Sequence, residues 1–176
     1  YLHYLKKNND KEVNTANLIY KEIIKVIKCL NSNNNFKIIN NFNSCFEITS
    51  ILLFCIFFAS KNKKPNDNLV INQELTNLFI QDIDHNMNLN GIGDMKVGKY
   101  VKSYVKKFYY RISLYEDIFN EQSIDNFTKI IHKFAILDKP NLSDQFSNFL
   151  YENLNILIKR VENEKISTSL FRELFI

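Results

Sequence analysis

Residues 82–115 read DIDHNMNLNGIGDMKVGKYVKSYVKKFYYRISLY. Two helices meet in this stretch. The first closes near Asn90, where Gly91 can take the left-handed conformation that ends a helix at no steric cost. The second opens at Asp94, whose carboxylate is placed to accept a hydrogen bond from an amide of the first turn. Beyond it Val97, Val101, Tyr104, Val105, Phe108, Ile112 and Tyr115 recur at helical spacing and share one arc of roughly 100°. Lys96, Lys99, Lys102, Lys106, Lys107 and Arg111 fill the opposite half. An apolar arc must be buried against other elements, so the stretch predicts a body built from packed helices.

Upstream, residues 69–90 form the first of these two helices, with Ile71, Leu75, Leu78, Phe79 and Ile83 on one arc. Asp82 and Asn86 fall inside that arc, whereas Asp84 points away. Asp82 either lies at the edge of the arc in water or finds a partner, since burying a bare carboxylate costs about 3 kcal/mol or more. The expected partner is Arg111 or a tyrosine hydroxyl on a neighbouring helix. Ser44-Cys45-Phe46-Glu47 has the spacing of a capping box. It opens the apolar run Ile51 to Ala59, which falls short of the ~20 residues that cross a bilayer and reads as a central buried helix. Ile19, Ile23, Val26, Ile27 and Leu30 place a helix near 16–30.

Downstream, Ser123 can cap a fifth helix that runs to Phe134, and Asp138-Lys139-Pro140 makes a turn. Ser143 can cap a sixth, along which Phe146, Leu150, Leu154, Leu157 and Val161 are periodic. Residues 170–176 look like a short closing helix. Residues 1–11 are polar and are expected to be a flexible N-terminal segment ahead of one helical domain, 12–176. Among 176 residues there are three Gly and two Pro, too few for the tight turns of a strand-rich fold. The sum is all-α: a single compact domain of six to seven helices.

Composition sets further bounds. A chain of this length buries enough apolar surface to need no disulfide or metal staple. Cys29, Cys45 and Cys55 are odd in number, stand among apolar residues and lack C-x-x-C spacing, which points to reduced, buried thiols. A formal charge of +4 is modest and does not itself imply nucleic acid; no DNA partner is expected. Asn86-x-Asn88-x-Asn90-Gly91 resembles half of a calcium loop, but its first ligand is uncharged and its twelfth position is Val97 rather than Glu. Gly91-x-Gly93 lacks the third glycine and the preceding strand of a dinucleotide site. His3, His85 and His132 show no metal-ligand spacing. No catalytic group, metal or cofactor is predicted.

The lysine-rich half of the helix carries the functional signal. No acidic residue occurs between Asp94 and Glu116. Like charges three or four residues apart cost ~0.2–0.5 kcal/mol per pair, and Lys96 and Lys99 sit at the positive end of the helix dipole. A plain solvated face is one reading. The preferred one is a docking surface for an anionic partner: ribosomal RNA, acidic lipid headgroups or an acidic protein.

Three runs carry a family pattern. They are Phe79-Ile80-Gln81-Asp82-Ile83-Asp84, then Asn90-Gly91-Ile92-Gly93-Asp94-Met95-Lys96-Val97-Gly98-Lys99-Tyr100-Val101-Lys102, and Phe108-Tyr109-Tyr110-Arg111 followed by Tyr115. This pattern resembles the ubiquinol–cytochrome c chaperone family, closely over 79–115 and more loosely over about 34–160. The chain departs from it at Asn88, where an arginine is usual, at Tyr110 for a glycine, and at Leu52 for a histidine. The resemblance implies a non-enzymatic assembly chaperone for respiratory complex III that binds newly made cytochrome b and works with a small partner protein near the ribosomal tunnel exit. It places such a protein on the matrix side of the mitochondrial inner membrane or the cytoplasmic face of an alphaproteobacterial inner membrane. Asp82, Asp84, Gly91, Gly93, Asp94, Val97, Gly98, Val101 and Tyr115 are then its structural motif, and the six cations its partner-binding face. The alternative is a helical module that binds RNA or a membrane surface and holds no client.

Overall fold

A computed structural model describes the backbone of residues 2–61, 63, 68–89 and 92–176, with side chains at 10–61, 63, 68–89, 92, 93 and 96–176. Among the described residues six α-helices follow one another: α1 (Leu2–Ser32), α2 (Phe42–Ser60), α3 (Leu69–Leu89), α4 (Asp94–Asn120), α5 (Ile124–Phe134) and α6 (Ser143–Asn163). Two short 3-10 turns, Pro140–Leu142 and Thr168–Phe171, flank α6. The described residues contain no strand, only an antiparallel bridge between Ile38 and Leu137. The chain is all-α, as expected.

Helix α2 is the axis. It is apolar on every side, and α1, α3, α4 and α6 all pack on it. By length and composition alone it could cross a membrane, but 72% of its apolar window is enclosed by the protein. Leu52, Leu53, Cys55 and Ile56 are fully buried; burial on all sides is what an all-round apolar helix requires. Around it, Phe54 gathers Phe58, Tyr115 and Phe119 at ring separations of 5.2–5.5 Å.

Several boundaries differ from the sequence reading. Residues 2–11 are helical and continue α1, because no glycine or proline there stops the helix. The cap of α2 is Asn41, not Ser44: Asn41 Oδ1 accepts the Ser44 amide at 2.8 Å. Ser44 therefore sits inside the first turn, its hydroxyl buried without a partner among the described residues, and Glu47 is released for other use. Gly93 occupies the N-cap of α4, so Asp94 is the first helical residue rather than the cap. Ser123 caps α5 through the Asn126 amide, as expected. Helix α6 is preceded by Leu142 with no side-chain cap, and Ser143 is buried within its first turn. In place of a closing helix, residues 168–171 make a 3-10 turn and the rest is irregular. Arg160 holds that tail through the Leu170 and Arg172 carbonyls at 2.9 and 2.7 Å. Cys55 is buried, but Cys29 is exposed.

Candidate docking face and adjoining cleft

Helix α4 turns Val97, Phe108 and Tyr115 inward, all at most 5% exposed, with Val101, Tyr104 and Ile112 packed at the edge of the core. The opposite side carries Lys96, Lys99, Lys102 and Lys106, all exposed and without an ion pair among the described residues. Lys107 and Arg111 do not share that face. Arg111 Nε donates to Glu47 Oε2 at 2.8 Å and Nη2 to Oε1 at 2.9 Å. Lys107 Nζ lies 2.8 Å from the same carboxylate and 4.7 Å over the Phe46 ring. The six cations therefore divide into four that face solvent and two that share the Glu47 carboxylate.

Rotation accounts for Arg111. At about 100° per residue it falls beside Tyr104, at the edge of the apolar arc that meets α2, whereas Lys107 lies nearer Lys96 on the wheel and is drawn to α2 by Glu47 and the Phe46 ring. Glu47 is the one charged residue of α2 and is 2% exposed. A buried carboxylate needs cations with good geometry, and the planar fork of arginine supplies two aligned bonds. A lone acid in an otherwise apolar helix is the signal that could have disclosed the pair. Burial opposes the Arg111 charge, yet the Glu47 hydrogen bonds and charge prevail and its pKa is raised. Burial, and then the Glu47 charge, hold the Tyr115 phenol well above its ordinary value.

Asp82 finds a tyrosine hydroxyl rather than Arg111. Tyr20 of α1 donates to its Oδ2 at 2.7 Å. Burial first, and then the hydrogen bond to Asp82 and its charge, raise the Tyr20 pKa. Asp84 is exposed and accepts from Asn88 Nδ2 at 3.2 Å. Leu52, at one departure from the family pattern, is fully buried; Tyr110, at another, is 62% exposed. Gly91 and the Asp94 side chain lie outside the described residues. Gly93 has φ −57°, a conformation open to any residue, and a Cβ at Gly98 would meet nothing within 4 Å. Neither glycine is demanded by backbone geometry.

A cleft of about 380 Å³ opens between α1, α2 and α3. Ile24, Ile27, Phe42, Cys45, Phe46 and Phe79 give it apolar walls, while Lys28 and Asp82 stand among them. It adjoins α4: the Phe42 ring meets Tyr104 edge-on at 5.0 Å. The N-terminal turn of α2 thus lies between the apolar recess and the Tyr104–Lys107 edge of α4. No part of this cleft was visible in the sequence, since its walls come from three helices.

The family model described as ubiquinol-cytochrome C chaperone matches residues 34–144, which span α2 through α5 and contain the cationic strip. The chain belongs to the ubiquinol–cytochrome c chaperone family. Its role is that of a chaperone in the assembly of respiratory complex III. The chain is similar in fold to the crystal structure of the Cbp3 homolog from Brucella abortus, with a TM-score of 0.75 and 17% sequence identity, over 99% of this chain and 95% of that one. No curated protein matches in sequence.

Proposed function

We propose that the protein holds newly made cytochrome b before that subunit joins the rest of complex III. The observation that carries this reading is the apolar cleft between α1, α2 and α3, whose wall residue Phe42 meets α4 at Tyr104. A nascent membrane subunit exposes apolar helices that must be kept from water, and a recess lined by Phe42, Phe46, Phe79, Ile24 and Ile27 can take apolar side chains. Lys96, Lys99, Lys102 and Lys106 then face the anionic surroundings in which such a client is made: a ribosomal tunnel exit or a membrane surface. The setting is the matrix side of the mitochondrial inner membrane or the cytoplasmic face of a bacterial one, and a small assembly protein can share the work.

Site-specific photo-crosslinking in the native cells tests this. A crosslinker at Ile24 and another at Lys102 are expected to differ, the first capturing cytochrome b. If neither position recovers cytochrome b, the client assignment fails. The four exposed lysines also support a second reading, an RNA- or membrane-surface module without a client. Salt separates the two. Phosphate contacts weaken by roughly one power of salt concentration each, whereas apolar contacts persist or strengthen.

A further inference from the structure

We infer that the outer face of α4 seats directly on a bilayer rich in anionic lipid, with lysines on the headgroups and tyrosines in the interface. The inference deepens the reading that this face docks a partner, but it does not depend on what the cleft holds.

Among the described residues, every exposed aromatic side chain lies on α4: Tyr100, Tyr109 and Tyr110, at 45, 58 and 62%. Elsewhere the aromatic rings are buried or half-buried, many of them packed ring against ring. The three are not scattered. At about 100° per residue, Tyr100 and Tyr109 fall at the two margins of the arc that holds Lys96, Lys99, Lys102 and Lys106, and Tyr110 falls within it. From Lys96 to Tyr110 the strip runs for about 21 Å. It ends toward Glu116 and Asp117, the first acids after Asp94.

The chemistry favours a lipid plane over a folded RNA. Arginine is the residue whose planar fork suits nucleic acid, and the one arginine of α4 is spent on Glu47. What remains are lysines, long stems with point charges that reach headgroup phosphates. The tyrosines are amphipathic rings that prefer the membrane–water boundary. The strip is one face of a single helix, whereas a nucleic-acid strand is tracked by a charged groove. Each lysine near an anionic surface strengthens binding about fivefold.

Flotation of the purified full chain tests the assignment. The probes are vesicles of phosphatidylcholine alone, and of phosphatidylcholine with about one third phosphatidylglycerol. The protein is expected to float with the anionic vesicles and not with the neutral ones. Lys99→Glu/Lys102→Glu/Lys106→Glu is expected to lose on the order of a hundredfold or more in binding while keeping its circular dichroism and melting temperature. Tyr109→Ser/Tyr110→Ser is expected to weaken binding and leave the salt dependence unchanged, a response that charge alone does not give. Absence of flotation with anionic vesicles overturns the inference. So does binding to a structured RNA that exceeds vesicle binding at equal phosphate, or tyrosine variants that bind vesicles as the parent does. Because only lipid and protein are present, failure here leaves the cytochrome b crosslinks to be judged on their own.

Discussion

Arg111 reaches from α4 to α2 and closes both nitrogens of its fork on Glu47, at 2.8 and 2.9 Å. The bond joins the helix that carries the docking strip to the helix at the centre of the core. Glu47 is 2% exposed, so its charge cannot fall back on water, while Arg111 keeps 15% of its side chain exposed. Replacing one partner strands the other, which for a buried pair costs ~3–5 kcal/mol. Lys107 softens the loss, and Arg111→Met is expected to destabilise by about 2–3 kcal/mol in urea unfolding. Glu47→Gln added to Arg111→Met should recover a good part of that. A double variant as unstable as the single one would contradict the pairing.

Tyr115 tests a neighbouring detail. Its hydroxyl is fully buried and has no hydrogen-bond partner among the described residues. Deleting an unpaired buried polar atom relieves a desolvation cost of ~1 kcal/mol. Tyr115→Phe is therefore expected to leave the melting temperature unchanged or raise it. A marked fall would mean that the hydroxyl is satisfied.

The caps make a three-way comparison. Asn41→Ala removes the hydrogen bond to the Ser44 amide and should cost ~1 kcal/mol. Ser44→Ala removes a hydroxyl that caps nothing and should be close to neutral. Asp94→Ala replaces the acidic first residue of α4; an acid at that position is typically worth ~0.3–1 kcal/mol, and the variant should fall between them. Thermal melts of the three variants settle the order; if Ser44→Ala is the worst, Ser44 rather than Asn41 is the cap.

Alkaline pH should weaken the α1–α3 contact. Burial, then the hydrogen bond to Asp82 and its charge, raise the Tyr20 pKa above the ordinary 10.0. The folded protein keeps this proton at pH values where the unfolded chain releases it. The stability is thus complete below the unfolded pKa and is lost as pH rises above it, by up to ~1.4 kcal/mol per pH unit for one group. Urea midpoints measured from about pH 9 to 11 are expected to fall, and to fall less steeply in Tyr20→Phe. Equal slopes would remove Tyr20 from the account.

Charge reversal on α4 should separate two kinds of lysine. Lys102→Glu/Lys106→Glu is expected to abolish capture of the partner with the melting temperature nearly unchanged, since exposed substitutions shift stability by less than ~0.5 kcal/mol. Lys107→Glu sets a second carboxylate against Glu47 and should lower the melting temperature. Parent-like binding in the double variant would refute the docking assignment.

Much of the fold was legible because apolar periodicity is a property of single helices. Phe146, Leu150, Leu154 and Leu157 announced α6, and the run from Ile51 announced a core helix. The caps were less legible: Asn41 and Ser44 stand three residues apart, either can accept a first-turn amide, and packing decides between them. The division of the cations was hidden for another reason. A helical wheel places Lys107 and Arg111 on α4 but says nothing of α2, and Glu47 lies 64 residues from Arg111. Asp82 was half legible: its need for a partner could be read, and a tyrosine hydroxyl was one of two candidates, but the α1 residue that answers it could not. The cleft had no trace in the sequence at all.

Because Glu47 rivets α4 to the axis of the molecule, the lysine strip is a stationary platform and not a hinged arm. An anionic surface or chain that meets it finds charges already in position and need not wait for a rearrangement. Association should accordingly run near the pace of steered diffusion and slow sharply with added salt, and the spread of affinities among rim variants should appear in the rate of arrival.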